Sequence, residues 1–134
     1  MTNIWIDTNV IIRFVAKGSV QSRRIARLMR RAQDGEVALR VPSIVIAEAV
    51  WVLDKVYGFE RTSIADALRS FVLADGVVVD DREAVVDGLR LMALQKVAFP
   101  DAHLAALARS RGEPIASFDT DFRRLGVELV ALPS

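Results

Sequence analysis

Four acidic residues, Asp7, Glu48, Asp101 and Asp119, are placed where side chains of this type can do chemistry. Carboxylates gathered at one place repel one another unless protons or cations intervene. An all-oxygen set without cysteine or a histidine pair suits hard Mg²⁺ or Mn²⁺ rather than zinc. Such ions acidify water and neutralise charge developing on a phosphodiester, so the chemistry implied is phosphoryl-transfer hydrolysis with Mg²⁺ or Mn²⁺ as the cofactor.

Each acid also has a structural use. For Asp7, Asp101 and Asp119 it is helix capping, because Asp is a favoured N-cap that accepts backbone N–H bonds. Thr8 or Asn9 could relieve Asp7 of that duty, and Thr120 or Asp121 could relieve Asp119, whereas Asp101 follows Pro100 at the head of a helix. Glu48 lies in Ile-Val-Ile-Ala-Glu-Ala-Val-Trp-Val-Leu, a segment apolar on nearly every side, which predicts a buried carboxylate. A buried carboxylate must be neutralised, paired or given a metal. A salt bridge to Lys55 or an arginine therefore stands beside metal binding. The single histidine, His103, is assigned packing or hydrogen bonding and no catalytic role. Neither a Gly-x-Ser-x-Gly turn nor a glycine-rich phosphate loop is present, so serine-hydrolase and nucleotide-triphosphate chemistry are unsupported.

The elements that must position these acids follow from patterning. Strands are expected at Asn3 to Ile6, Val37 to Val41, Val77 to Val79, Ile115 to Phe118 and Glu128 to Leu132. Helices are expected over Asn9 to Ala16, Val20 to Gln33, Ser43 to about Tyr57, Arg61 to Leu73, Arg82 to Gln95, and Asp101 to Arg109 with Gly112 closing it. Strands alternating with helices predict an α/β sandwich with a mostly parallel sheet. In such sheets ligands gather beyond the carboxyl ends of the strands, where the return helices also begin. Asp7, Glu48, Asp101 and Asp119 all fall at that edge, so the four can face one another.

The chain has 134 residues, 52% of them apolar and 26% charged, which fits one domain over residues 1–134. Cysteine is absent, excluding disulfides and thiolate chemistry. The amino terminus does not read as a secretory signal, and the longest apolar stretch, Ile44 to Leu53, is too short to span a bilayer, so a soluble cytoplasmic protein without membrane contact is expected. Eighteen Lys and Arg against seventeen Asp and Glu leave a net charge of +1, too small to argue nucleic-acid binding from bulk electrostatics. Five arginines, Arg23, Arg24, Arg27, Arg30 and Arg31, nevertheless share one face of a helix, where they are open to solvent, phosphate or an acidic partner.

The strings Ile-Asp-Thr-Asn, Val-Pro-Ser-Ile-Val-Ile-Ala-Glu, Phe-Pro-Asp-Ala-His-Leu-Ala-Ala-Leu-Ala and Ser-Phe-Asp-Thr-Asp-Phe, in this order through nearly the whole chain, resemble the PIN-domain family and, within it, the VapC ribonuclease toxins. The resemblance implies a three-layer α/β/α sandwich with a mostly parallel central sheet. It also implies an endoribonuclease toxin of a type II toxin-antitoxin system, held inactive by a VapB-type antitoxin and commonly a homodimer. By position Asp7, Glu48, Asp101 and Asp119 match the family's catalytic and metal-binding acids, with Asp7 and Asp101 foremost as direct ligands. Asn9 and Ser117 match supporting polar positions. Asp121 offers a further carboxylate through water or a cap for the turn that follows. Ala98 stands where many relatives carry another acid, which puts a second firmly bound metal in doubt. Two rivals remain: a catalytically inactive RNA-binding or partner-binding module of the same fold, and a receiver-like signalling domain using Asp80 as phosphoacceptor. Leu68, Phe71, Leu89 and Met92 are assigned to core packing ahead of a dimer seam or antitoxin groove.

Overall fold

The computed structural model describes residues 1–16, 18, 20–130 and 132. The chain divides into two compact units, Met1–Arg82 and Glu83–Ser134. The first runs β1 (Thr2–Trp5), α1 (Thr8–Val15), α2 (Val20–Gln33), β2 (Val37–Val41), α3 (Ser43–Lys55), α4 (Arg61–Val72) and β3 (Val77–Val79). Its strands form one parallel sheet in the order β1-β2-β3. The register pairs Ile4 with Leu39 and Leu39 with Val77, and Val41 with Val79, so alternation turns these side chains to one face. Leu39, Val77, Val41 and Val79 are buried. The opposite parity brings Trp5, Arg40 and Val78 into one row.

Parallel strands need crossovers, and the helices provide them. Helix α1 packs on α2 and α3, α2 on β2, and α4 on α3 and β3. The core contains Ile11, Ile46, Leu53, Ile64, Leu68 and Phe71, all 2% exposed or less. Phe71 also meets Phe14, with ring centres 5.6 Å apart. On α2, Ile25, Met29 and Ala32 are buried while all five arginines are exposed, and Arg31 pairs with Glu36 at 3.1 Å.

The second unit contains α5 (Arg82–Gln95, whose first residue closes the first unit), α6 (Phe99–Arg111), β4 (Ile115–Ala116), a short 3₁₀ helix (Thr120–Leu125) and β5 (Leu129–Val130). Strands β4 and β5 pair in parallel. Ala105, Ile115, Phe122, Leu125 and Val127 form a core cluster, with Val97, Ala108 and Leu129 packed against it. Leu89 and Met92 are buried within 1% exposure, so they, like Leu68 and Phe71, are core residues.

Two expected boundaries shift by two residues for physical reasons. Helix α6 begins at Phe99 rather than Asp101, with Pro100 in its first turn, where the missing N–H costs nothing. It ends as expected at Gly112, which adopts φ +63°. The strand expected to reach Phe118 stops at Ala116, because the Ser117 hydroxyl accepts the Asp119 N–H and turns the chain. The last strand is shorter than Glu128 to Leu132, and Ala131 lies outside the described residues. Among the described residues no helix is long and apolar enough to cross a membrane.

The turn into β3 depends on Gly76. Its φ is +85°, and a methyl group there would lie 2.5 Å from the Ala32 carbonyl oxygen. Gly35 has a similar φ of +80° with open space around it. Gly35→Ala is expected to cost about 1–2 kcal/mol for the left-handed backbone alone. Gly76→Ala adds the clash and is expected to cost about 2–5 kcal/mol. Urea unfolding measures both, and equal losses would show that α2 can yield.

Candidate active site

Asp7 follows β1 and caps α1, its Oδ1 accepting the Val10 N–H at 3.1 Å. The capping use is therefore realised by Asp7 itself, not by Thr8 or Asn9. Thr8, the first residue of α1, donates its hydroxyl to Glu48 Oε2 on α3 at 2.7 Å. Packing of α1 on α3 thus joins the Asp7–Thr8 turn to Glu48.

The expectation that Glu48 is buried is corrected. Glu48 is exposed, and no polar or charged residue belongs to the buried set among the described residues. Helix α3 is apolar on most sides, yet it turns Ile44, Glu48, Trp51 and Lys55 outward at helical spacing. The cost of burying a charge never arises. Lys55 pairs instead with its neighbour Asp54 at 3.6 Å, and Glu48 accepts from Thr8.

In the second unit Asp119 follows β4 and caps the 3₁₀ helix, its Oδ1 accepting the Asp121 N–H at 2.9 Å, while Ser117 accepts the Asp119 N–H at 2.9 Å. Asp101 behaves differently. Ala98 occupies the N-cap position of α6 without a side-chain hydrogen bond, so Asp101 lies in the first turn, near the positive end of the helix, and caps nothing. Asp101, Asp119 and Asp121 line one cavity of about 180 Å³, whose wall also holds Ala98, Lys96 and Arg124. Arg124 is steadied by donating Nη1 to the Gln95 carbonyl at 2.8 Å. Among the described residues, no group of three or more His, Cys, Asp or Glu side chains closes into a ready-made metal cluster. The donors are nonetheless all oxygen and solvent-accessible, the chemistry that hard divalent cations require. His103 packs, stacking on Phe99 with ring centres 5.5 Å apart and 8° between planes.

Asp80 has another use. From the end of β3 it accepts both the backbone N–H of Ser43, at 2.6 Å, and the Ser43 hydroxyl, at 2.9 Å. It thereby satisfies the first turn of α3, where Pro42 offers no side-chain cap. Sequence reading missed this pairing and the Thr8 bond. Both join residues about 40 positions apart, and no local pattern announces either.

An α/β chain with parallel strands and acids at the strand ends and helix starts defines a recognisable class. The PIN domain model matches residues 4–128, and the chain belongs to the PIN domain family. The chain is also similar to a protein named VapC ribonuclease from Aquifex aeolicus (strain VF5), with 23% identity over 126 residues that cover 93% of each chain.

The two aspartate environments differ in a measurable way. Asp7→Ala removes a cap and is expected to lower stability by about 1 kcal/mol, whereas Asp7→Asn keeps it. Asp101→Ala is expected to lose no more than about 0.5 kcal/mol, the helix-dipole contribution of an exposed acid. Denaturant unfolding of the three variants checks this, and a larger loss at Asp101 than at Asp7 would contradict the assignment.

Proposed function

We propose that this protein is a VapC-type endoribonuclease, the toxin of a type II toxin-antitoxin pair, hydrolysing RNA phosphodiester bonds with Mg²⁺ or Mn²⁺. The observation that carries the reading is the Asp101 carboxylate, unused by the helix it stands on and lining a cavity with Asp119 and Asp121. The family match over 4–128 and the likeness to a VapC ribonuclease support it, and a match running through both units supports one PIN-like domain over residues 1–134.

In this reading Asp7, Glu48, Asp101 and Asp119 hold the metal, with Asp7 and Asp101 as the direct ligands. The ion, when bound, acidifies the attacking water and neutralises charge on the phosphodiester. Thr8 orients Glu48 through its 2.7 Å hydrogen bond. Ser117 and the Asp121 amide orient Asp119. Lys96 and Arg124 supply positive charge to substrate phosphate beside the acids. Water attacks in line, leaving 5′-phosphate and 3′-hydroxyl ends. A VapB-type antitoxin restrains a homodimeric toxin in the cytoplasm.

The receiver-like alternative is disfavoured, since Asp80 uses both oxygens to hold Ser43 at the start of α3. The test is incubation of total cellular RNA with purified, antitoxin-free protein and Mg²⁺ or Mn²⁺. Discrete fragments with 5′-phosphate ends are expected, abolished by EDTA and reduced more than about a hundredfold by Asp7→Asn or Asp101→Asn. Termini carrying 2′,3′-cyclic phosphate would reject the mechanism, because the ribose hydroxyl would then be the nucleophile. A folded protein that binds metal but cuts no RNA would instead be a binding module. Ala98→Asp is expected both to stabilise α6 by about 1 kcal/mol as an N-cap and to tighten Mn²⁺ binding, read by unfolding and calorimetry.

A further inference from the structure

Trp5, the last residue of β1, is 67% exposed. A tryptophan so open to water leaves a large apolar area unsatisfied in the isolated chain. The sheet register sets Arg40 beside it, and the Arg40 guanidinium carbon lies 5.9 Å from the centre of the Trp5 ring. Arg40 is steadied by a neutral group, its Nε donating to Asn3 Oδ1 at 3.1 Å. Among the described residues no carboxylate forms an ion pair with it, so its charge stays available. Trp5 and Arg40, with Pro42, Ile44, Val78 and Asp80, whose carboxylate is held by Ser43, line an open groove of about 430 Å³.

The position of this groove is as informative as its lining. Ile6 continues the β1 ladder by donating its N–H to the Arg40 carbonyl, and Asp7 keeps extended backbone. Trp5 therefore stands only two residues before Asp7 on an extended stretch, about 6.6 Å along the backbone. A largely exposed indole with a guanidinium over its ring matches a nucleobase stacked on the open part of the ring and the phosphate beside it. Bases stack on such rings without regard to sequence, while guanidinium pairs with phosphate oxygens.

We propose that Trp5 and Arg40 form a subsite for single-stranded RNA, Trp5 stacking one base and Arg40 holding the adjoining phosphate, next to Asp7. Choosing RNA as the ligand rests on the nuclease reading above. The aromatic face and the available charge favour RNA over an apolar protein segment, which would gain nothing from an uncompensated arginine.

The chain has two tryptophans, so the full-length Trp51→Phe protein carries Trp5 as its only indole. Short oligoadenylate and oligouridylate are titrated against it in EDTA at fixed salt, with emission and fluorescence anisotropy as readouts. Trp5 emission is expected to be quenched on binding. In the otherwise native chain, Trp5→Ala is expected to weaken binding about ten- to hundredfold, and Trp5→Phe by no more than about threefold. Arg40→Gln is expected to lower the salt dependence by about one phosphate contact. Unchanged affinity in Trp5→Ala, or RNA binding that leaves Trp5 emission untouched, overturns the subsite. So does the absence of RNA binding, or wild-type self-association that Trp5→Ala abolishes, which would mark the face as a protein interface. Cleavage assays on the wild type separate the two claims. Cleavage with Trp5-independent binding rejects only the subsite, and Trp5-dependent binding without cleavage rejects only the nuclease.

Discussion

The setting of the first unit's acids depends on the paired hydrogen bonds between Asp80 and Ser43. Helix α3 begins directly after β2, and its N-cap is a proline with no side-chain acceptor. The open N–H groups of its first turn need a partner from elsewhere. Asp80, at the end of β3, fills that need with both oxygens. The same bond ties the exit of β3 to the start of α3. It thereby sets the helix from which Glu48 reaches Thr8 at the head of α1.

In the proposed reading, capping and metal ligation would not compete for the same atom. A carboxylate has two oxygens and about four lone-pair directions. Asp7 and Asp119 each use Oδ1 for a backbone N–H, which limits the rotation of the carboxylate while Oδ2 is free of that bond. Hydrogen bonds that orient ligands in this way are the usual support of a metal centre. Asp101 differs, because a helix that starts two residues earlier leaves its carboxylate unspent.

Two positive surfaces are distinct in kind. The arginines of α2 stand on a solvated face, and the ion pair of Arg31 with Glu36 is more than half exposed on both sides. Such pairs contribute little to stability. Arg40 is half-buried, anchored through Asn3 and set against an indole, so its charge is held at a defined place.

The alternation of strands and helices, the core residues Leu68, Phe71, Leu89 and Met92, and the candidate acids were legible from the sequence, because hydrophobic periodicity and the ends of segments are local properties. So was the family, from four short strings in order. The exposure of Glu48 was not, since composition cannot say which side of an apolar helix will be left uncovered. Nor was the freedom of Asp101, which turns on a helix boundary displaced by two residues. The pairings of Thr8 with Glu48, Ser43 with Asp80 and Trp5 with Arg40 join positions 35 to 40 residues apart. Only strand register and helix packing bring such residues together, and that is a decision of the tertiary structure.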